Sequence, residues 1–226
     1  MLRQARETPE RPLIAQQLFK GERDKGLYYQ NDFSKDFTWI LGWFTGNGPN
    51  TTGNTHKPFG NVMARIVWMP ENLEIGASYW YSNRTIVNDI TVENTKDRYG
   101  FDLRYYFNSF TLKAEYINGK NIDGKYDSLN MLNKRINGYY IQLAYSPLKN
   151  LSIIGNYEKI SNMYFNMEGG GAGTGDTSIW HLGASYDMNS SIKFRIFRDI
   201  YNGYKRINDV NKWNNNKWIA ECLVKF

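Results

Sequence analysis

Along most of this chain, apolar and polar residues take turns. In Thr177–Asp187 (TSIWHLGASYD), the set Trp180, Leu182, Ala184 and Tyr186 alternates with His181, Gly183 and Ser185. The closing segment Lys217–Phe226 sets Trp218, Ala220, Cys222, Val224 and Phe226 against Lys217, Glu221 and Lys225, with Ile219 and Leu223 as apolar exceptions. Side chains of a β-strand leave it on opposite faces with a period of two. Such segments therefore have one apolar face and one wet face, and the chain must fold so that both are satisfied.

The same pattern marks eleven spans: Gly26–Asn31, Asp36–Gly46, Gly60–Met69, Asn72–Ser82, Asp97–Phe107, Ser109–Gly119, Asn137–Ser146, Asn150–Ile160, Thr177–Asp187, Ser190–Tyr201 and Lys217–Phe226. Most have the roughly 9–11 residues that a tilted strand needs to cross a bilayer. Their connections alternate. Short turns fall at Asp32–Lys35, Pro70–Glu71, Asn108, Pro147–Lys149 and Met188–Asn189. Long segments fall at Asn47–Phe59, Asn83–Lys96, Lys120–Ile136, Ser161–Asp176 and Asn202–Asn216. A soluble β-sandwich has no reason to keep this order, whereas barrels of the bacterial outer membrane join strands by short periplasmic turns and longer outer loops. The pattern predicts an all-β fold, an antiparallel meandering transmembrane β-barrel, with residues 26–226 as its wall. Residues 1–25 form an irregular segment suited to lining the lumen.

Composition supports this reading. No run of about 18 apolar residues exists to make a transmembrane helix, and a mean hydropathy of -0.62 suits strands that are polar at every second position. Seventeen Tyr and seven Trp can furnish two aromatic belts at the membrane interfaces. The net charge of +6 is spread through strands and loops, which argues against nucleic acid as a partner and suits anionic lipid or an anionic solute. The single cysteine, Cys222, excludes an internal disulfide and falls on the apolar face as filler.

The faces follow from the alternation. Toward lipid we place Trp39, Leu41 and Trp43, Ile66 and Trp68, Ile75 and Tyr79, Leu103, Leu112, Leu143, Ile153, Trp180 and Ile196 with their period-two neighbours. The opposite face carries Arg65, Arg98, Arg104, Lys113, Lys193 and Arg195 as pore-lining candidates for anion contact, with Arg11 and Arg23 added if the amino-terminal segment enters the lumen. Its acidic members include Asp102, Glu115, Glu158 and Asp199. Charges of both signs on one face of every long strand cannot pack as an oily core. They imply a watery lumen, or one plugged by paired charges.

Gly100–Lys120 (GFDLRYYFNSFTLKAEYINGK) and Asn137–Lys159 (NGYYIQLAYSPLKNLSIIGNYEK) resemble the phosphate-selective porin O and P family. The shared features are an aromatic strand, a tight turn and x-L-x-A-E-Y, then a later G-Y-Y-x-Q-x-A-Y strand. Glu10–Gln30 is similar to the family's passage into a strand. The resemblance implies a sixteen-stranded porin of the bacterial outer membrane, a homotrimer that passes small anionic solutes by diffusion, phosphate-type anions among them. The family's arginine ladder has only a two-rung counterpart here, Lys193-Phe194-Arg195.

Other chemistry finds little purchase. Met167–Asp176 (MEGGGAGTGD) lacks the Gly-Lys-Ser/Thr ending of a phosphate-cradling loop and leads into a strand. His56 and His181 make no metal site, and no cofactor is implied. An outer-membrane hydrolase would need His181 to work with Ser185 or Asp187, which lie too far along one strand. The expectation is therefore no enzyme, and the alternatives are such a hydrolase or a non-conducting structural barrel. With eleven strands the first and last run the same way, so an antiparallel barrel does not close on them. Either about five strands and a signal sequence lie upstream, or Leu13–Phe19 adds a twelfth strand.

Overall fold

A computed structural model describes residues 26–44, 61–87, 90–121, 135–166, 172–203 and 216–224. Its eleven strands are β1 (Gly26–Ser34), β2 (Phe37–Phe44), β3 (Asn61–Trp68), β4 (Leu73–Val87), β5 (Ile90–Phe107), β6 (Phe110–Asn121), β7 (Ile136–Leu148), β8 (Leu151–Asn166), β9 (Ala172–Asp187), β10 (Ile192–Gly203) and β11 (Lys217–Val224). They form one sheet in sequence order, a meander, and the registered pairs are antiparallel. Among the described residues there is no helix.

All eleven expected strands are present. Four of them, β4, β5, β8 and β9, run well beyond the spans that the alternation indicated. β4 continues to Val87 and β5 starts at Ile90, so most of Asn83–Lys96 is strand rather than loop. Thr85, Ile86, Val87, Ile90, Thr91 and Val92 are β-branched there, which favours the extended backbone. β8 and β9 likewise extend to Asn166 and back to Ala172, into the expected loop Ser161–Asp176. Arg11 and Arg23 lie outside the described residues.

Short turns close the strands at the other end. Asn108 takes a positive φ of 49°, a conformation its short side chain tolerates, between β5 and β6. The Asn189 carboxamide oxygen accepts from the amides of Ser191 and Ile192 at 2.8 and 2.9 Å and so turns the chain into β10.

The sheet falls into two compact units. One holds β1–β4, β5 up to Leu103 and β6 from Glu115. The other holds the β5–β6 tip, Arg104–Ala114, and the chain from Gly138 onward. In both, directly opposed residues share a face, as antiparallel register requires. Trp39↔Ile66 and Leu41↔Ala64 continue through Ile66↔Ala77 and Ala64↔Tyr79 in the first unit. Tyr157↔Trp180 and Leu182↔Arg198↔Trp218 do so in the second. This face is exposed and apolar: Trp180 is 48% exposed, whereas His181 beside it is 4% exposed.

Rings gather at both ends of the apolar face. Phe110 stacks on Tyr145 at 4.7 Å beside the short turns. Toward the long connections Tyr157 lies 4.6 Å from Trp180 and 6.0 Å from Tyr139. Arg198 sits on this same face but lays its guanidinium over Trp218 at 5.6 Å, an arrangement for a cation at the edge of an apolar band. Amphipathic rings at the two margins of an apolar band are what a membrane interface favours.

Candidate functional site

The polar face is ordered in rows across the strands. In the second unit one row is apolar: Ile154 (β8), Gly183 (β9), Phe197 (β10) and Ile219 (β11) stand opposite one another. Ala144, Ile154 and Phe197 pack as a buried cluster, with Ile219 against it. Gly183 makes room for it. A Cβ there would lie 2.6 Å from the Phe197 ring and against the Ile196 carbonyl, so the ring lies directly over the bare backbone.

The next row toward the long connections is charged. Register aligns Asn156 (β8), His181 (β9), Asp199 (β10) and Lys217 (β11). His181 Nδ1 is 2.7 Å from Asp199 Oδ1, and its Nε2 is 3.3 Å from Glu158 Oε1. Asn156 Nδ2 donates to that Glu158 oxygen at 2.9 Å. Lys217 Nζ is 3.6 Å from Asp199 Oδ2, which also accepts from the Tyr201 hydroxyl at 3.4 Å. Asp199 is fully buried and Glu158 nearly so. Buried charges persist only when paired, and here each carboxylate has at least two polar partners.

On the other side of the apolar row stand Ser185, Arg195 and Glu221, with Arg195 Nη1 3.7 Å from Glu221 Oε2. Ser146 and Ser152 share a hydrogen bond of 2.9 Å at this level. Nearest the turn, Lys193 Nζ reaches Asp187 Oδ1 at 3.1 Å.

In the first unit the pairing spans a strand. Arg65 (β3) donates from both terminal nitrogens to Asp102 (β5), at 2.6 and 2.9 Å. Strands lie about 4.8 Å apart, so these Cα atoms are about 10 Å apart with β4 between them. Gly76 is the gap that lets the two side chains meet. A Cβ there would lie 2.6 Å from both Asp102 oxygens and 2.7 Å from Arg65 Nη2. Arg98 shares the parity of Asp102 and is buried, lying along Gly119 of β6, whose Cβ would lie 2.6 Å from Arg98 Cγ. Arg104 on β5 keeps that parity, and Lys113 and Glu115 on β6 keep that of Gly119. All ten described site candidates therefore lie on the polar face by register or parity.

Two features escaped the sequence reading. Arg135, just before β7, donates to Asp97 Oδ2 and Asn118 Oδ1, both at 2.6 Å, and covers the Tyr99 ring at 5.5 Å. Asp97, Tyr99 and Asn118 have apolar-face parity, so this polar network lies on that face among its rings. The second is His181. Its partners are not Ser185 or Asp187 but residues on β8 and β10. Cross-strand neighbours are about 5 Å apart, whereas positions four apart along one strand are about 13 Å apart. Among the described residues no cluster of three or more His, Cys, Asp or Glu could hold a metal ion. Glu158 and Asp199 bracket the imidazole from opposite sides rather than converging on one point.

An antiparallel meander with an exposed apolar face, aromatic margins and a polar face of paired charges is the wall of an outer-membrane β-barrel protein. The sequence profile described as Gram-negative porin matches residues 13–207. The chain thus belongs to the Gram-negative porin family, and its place is the bacterial outer membrane. No curated protein gives a sequence match. Solved structures with the same fold include the anion-selective porin from Comamonas acidovorans. That porin is 10% identical at TM-score 0.58, with 79% of this chain and 48% of that chain covered. The outer membrane channel DcaP of Acinetobacter baumannii is 10% identical at TM-score 0.57, with 89% and 60% covered. OmpT of Vibrio cholerae, an outer membrane protein, is 11% identical at TM-score 0.53, with 88% and 61% covered. The chain spans between 48% and 61% of the length of these three structures.

Proposed function

We propose that this chain forms the wall, or part of the wall, of an outer-membrane channel through which small solutes diffuse, with a mild preference for anions and a homotrimeric assembly. The observation that carries the reading is the face of paired charges backed by an apolar, ring-edged face, in a member of the porin family. Arg65, Arg98, Arg104, Lys113, Lys193 and Arg195 line the solute path as anion contacts, with Arg11 and Arg23 from the amino-terminal segment. Asp102, Glu115, Glu158 and Asp199 are their acidic counterparts. The net charge of +6 and the resemblance to phosphate-selective porins support the anionic preference, phosphate-type anions included. A family of porins supports a channel over an enzyme.

The test is the zero-current potential of the purified full-length protein in a planar bilayer under a salt gradient. The expected sign is that of modest anion preference, with phosphate reducing the chloride current. Clear cation preference rules the anionic reading out. The complete burial of Phe197 and Asp199 on the polar face favours one second reading, a barrel that does not conduct. Absence of any current from well-folded protein would establish it.

A further inference from the structure

Two carboxylates on the polar face of β8–β11, Glu158 and Asp199, are almost wholly withdrawn from solvent. β9 contributes His181, between them. β10 contributes Tyr201, and β11 contributes Lys217, both on Asp199. β8 itself contributes Asn156, on Glu158. The adjoining row of Ile154, Gly183, Phe197 and Ile219 brings no charge, and beyond it Arg195 and Glu221 cancel each other.

A ring nitrogen within reach of a carboxylate oxygen makes a hydrogen bond only if it carries the proton. His181 has one such oxygen at each nitrogen, so the arrangement is that of an imidazolium donating twice. The group then sums to zero: two carboxylates against His181 and Lys217. Lys217 pairs with Asp199, and His181 is the cation that lies within reach of both carboxylates.

We infer that His181 is a selectivity-determining residue, the counter-charge that keeps Glu158 and Asp199 from turning this stretch of the polar face into a cation-attracting wall. The inference rests on the channel reading above. Fixed charges in a low-dielectric wall are screened less than charges in water, so an uncompensated carboxylate there acts on ions in the path beside it. The role is electrostatic and positional, and it needs no contact between His181 and a solute.

The experiment compares zero-current potentials of the full-length protein carrying H181Q, E158Q or both, in potassium chloride gradients. H181Q leaves the group one charge more negative and should lower the anion-to-cation permeability ratio by about twofold or more. E158Q leaves it one charge more positive and should raise the ratio. The double variant restores the sum to zero and should return to the wild-type value, which mere loosening of the wall would not do. If H181Q fails to fold, E158Q still tests the inference, because an unchanged ratio there overturns it. Conducting variants with unchanged ratios overturn the inference while leaving the channel reading intact. A wild-type protein that does not conduct overturns both.

Discussion

Replacing Gly76 with valine should break the Arg65–Asp102 pair without touching either partner's own position in the chain. Gly76 lies on β4 with its bare Cα under the two side chains that cross it. A Cβ at this point would be 2.6 Å from each Asp102 oxygen. Carbon and oxygen settle at about 3.3 Å or more, so the carboxylate must retreat by about 0.7 Å, and the γ-methyls of valine demand further movement. The bidentate geometry of 2.6 and 2.9 Å does not survive such a shift. The side chains of Arg65 and Asp102 are 29% and 25% exposed, which moderates the loss. A charge-assisted pair in a partly wet setting supports a cost of about 1–2 kcal/mol for G76V. Urea titration of the full-length protein in detergent micelles, followed by tryptophan fluorescence, measures it. The cycle with D102N is decisive. If valine acts by severing the pair, the two costs are less than additive, because D102N has already removed what valine disrupts. Additive costs, or a G76V protein as stable as wild type, would refute the argument.

Two other expectations concern the two faces. Trp68 and Trp180 lie on the apolar face and Trp80 on the polar one, so brominated lipid should quench single-tryptophan variants at the first two positions and spare the third. Phe197, wholly buried over Gly183, should cost about 3–5 kcal/mol when cut to alanine, read as a lowered urea midpoint.

Strand positions and faces were legible in the sequence because a period of two is a local property. Trp180 and His181 declare their faces by parity alone. Strand ends were less legible. Asn83–Lys96 is polar enough to suggest a loop, yet its β-branched residues continue the ladder well past the apolar band. Partnership was the least legible, because it depends on register between strands. Nothing local to Arg65 points to Asp102, 37 residues away, and the enabling residue is a glycine that carries no chemistry. His181 looked isolated for the same reason. Its carboxylates are 23 positions earlier and 18 later, a spacing that acquires meaning only once β8, β9 and β10 are aligned. The Arg135–Asp97 contact depends equally on how the ends of β5 and β7 are brought together.

The register also bears on how selective such a wall can be. Each polar-face ion pair described above joins opposite signs: Arg65 with Asp102, Lys193 with Asp187, Arg195 with Glu221, His181 with Glu158 and Asp199, and Lys217 with Asp199. Paired charges fix side chains in place and cancel most of each other's field beyond a few ångströms. Without pairing they would repel along the strand and across the row, at a cost the folded wall would have to meet elsewhere. Stability of the wall and strength of the net field therefore pull in opposite directions. A face built this way supports modest discrimination, set by small imbalances between rows. Single neutralising changes such as E158Q are the perturbations to which its ion preference should respond most directly.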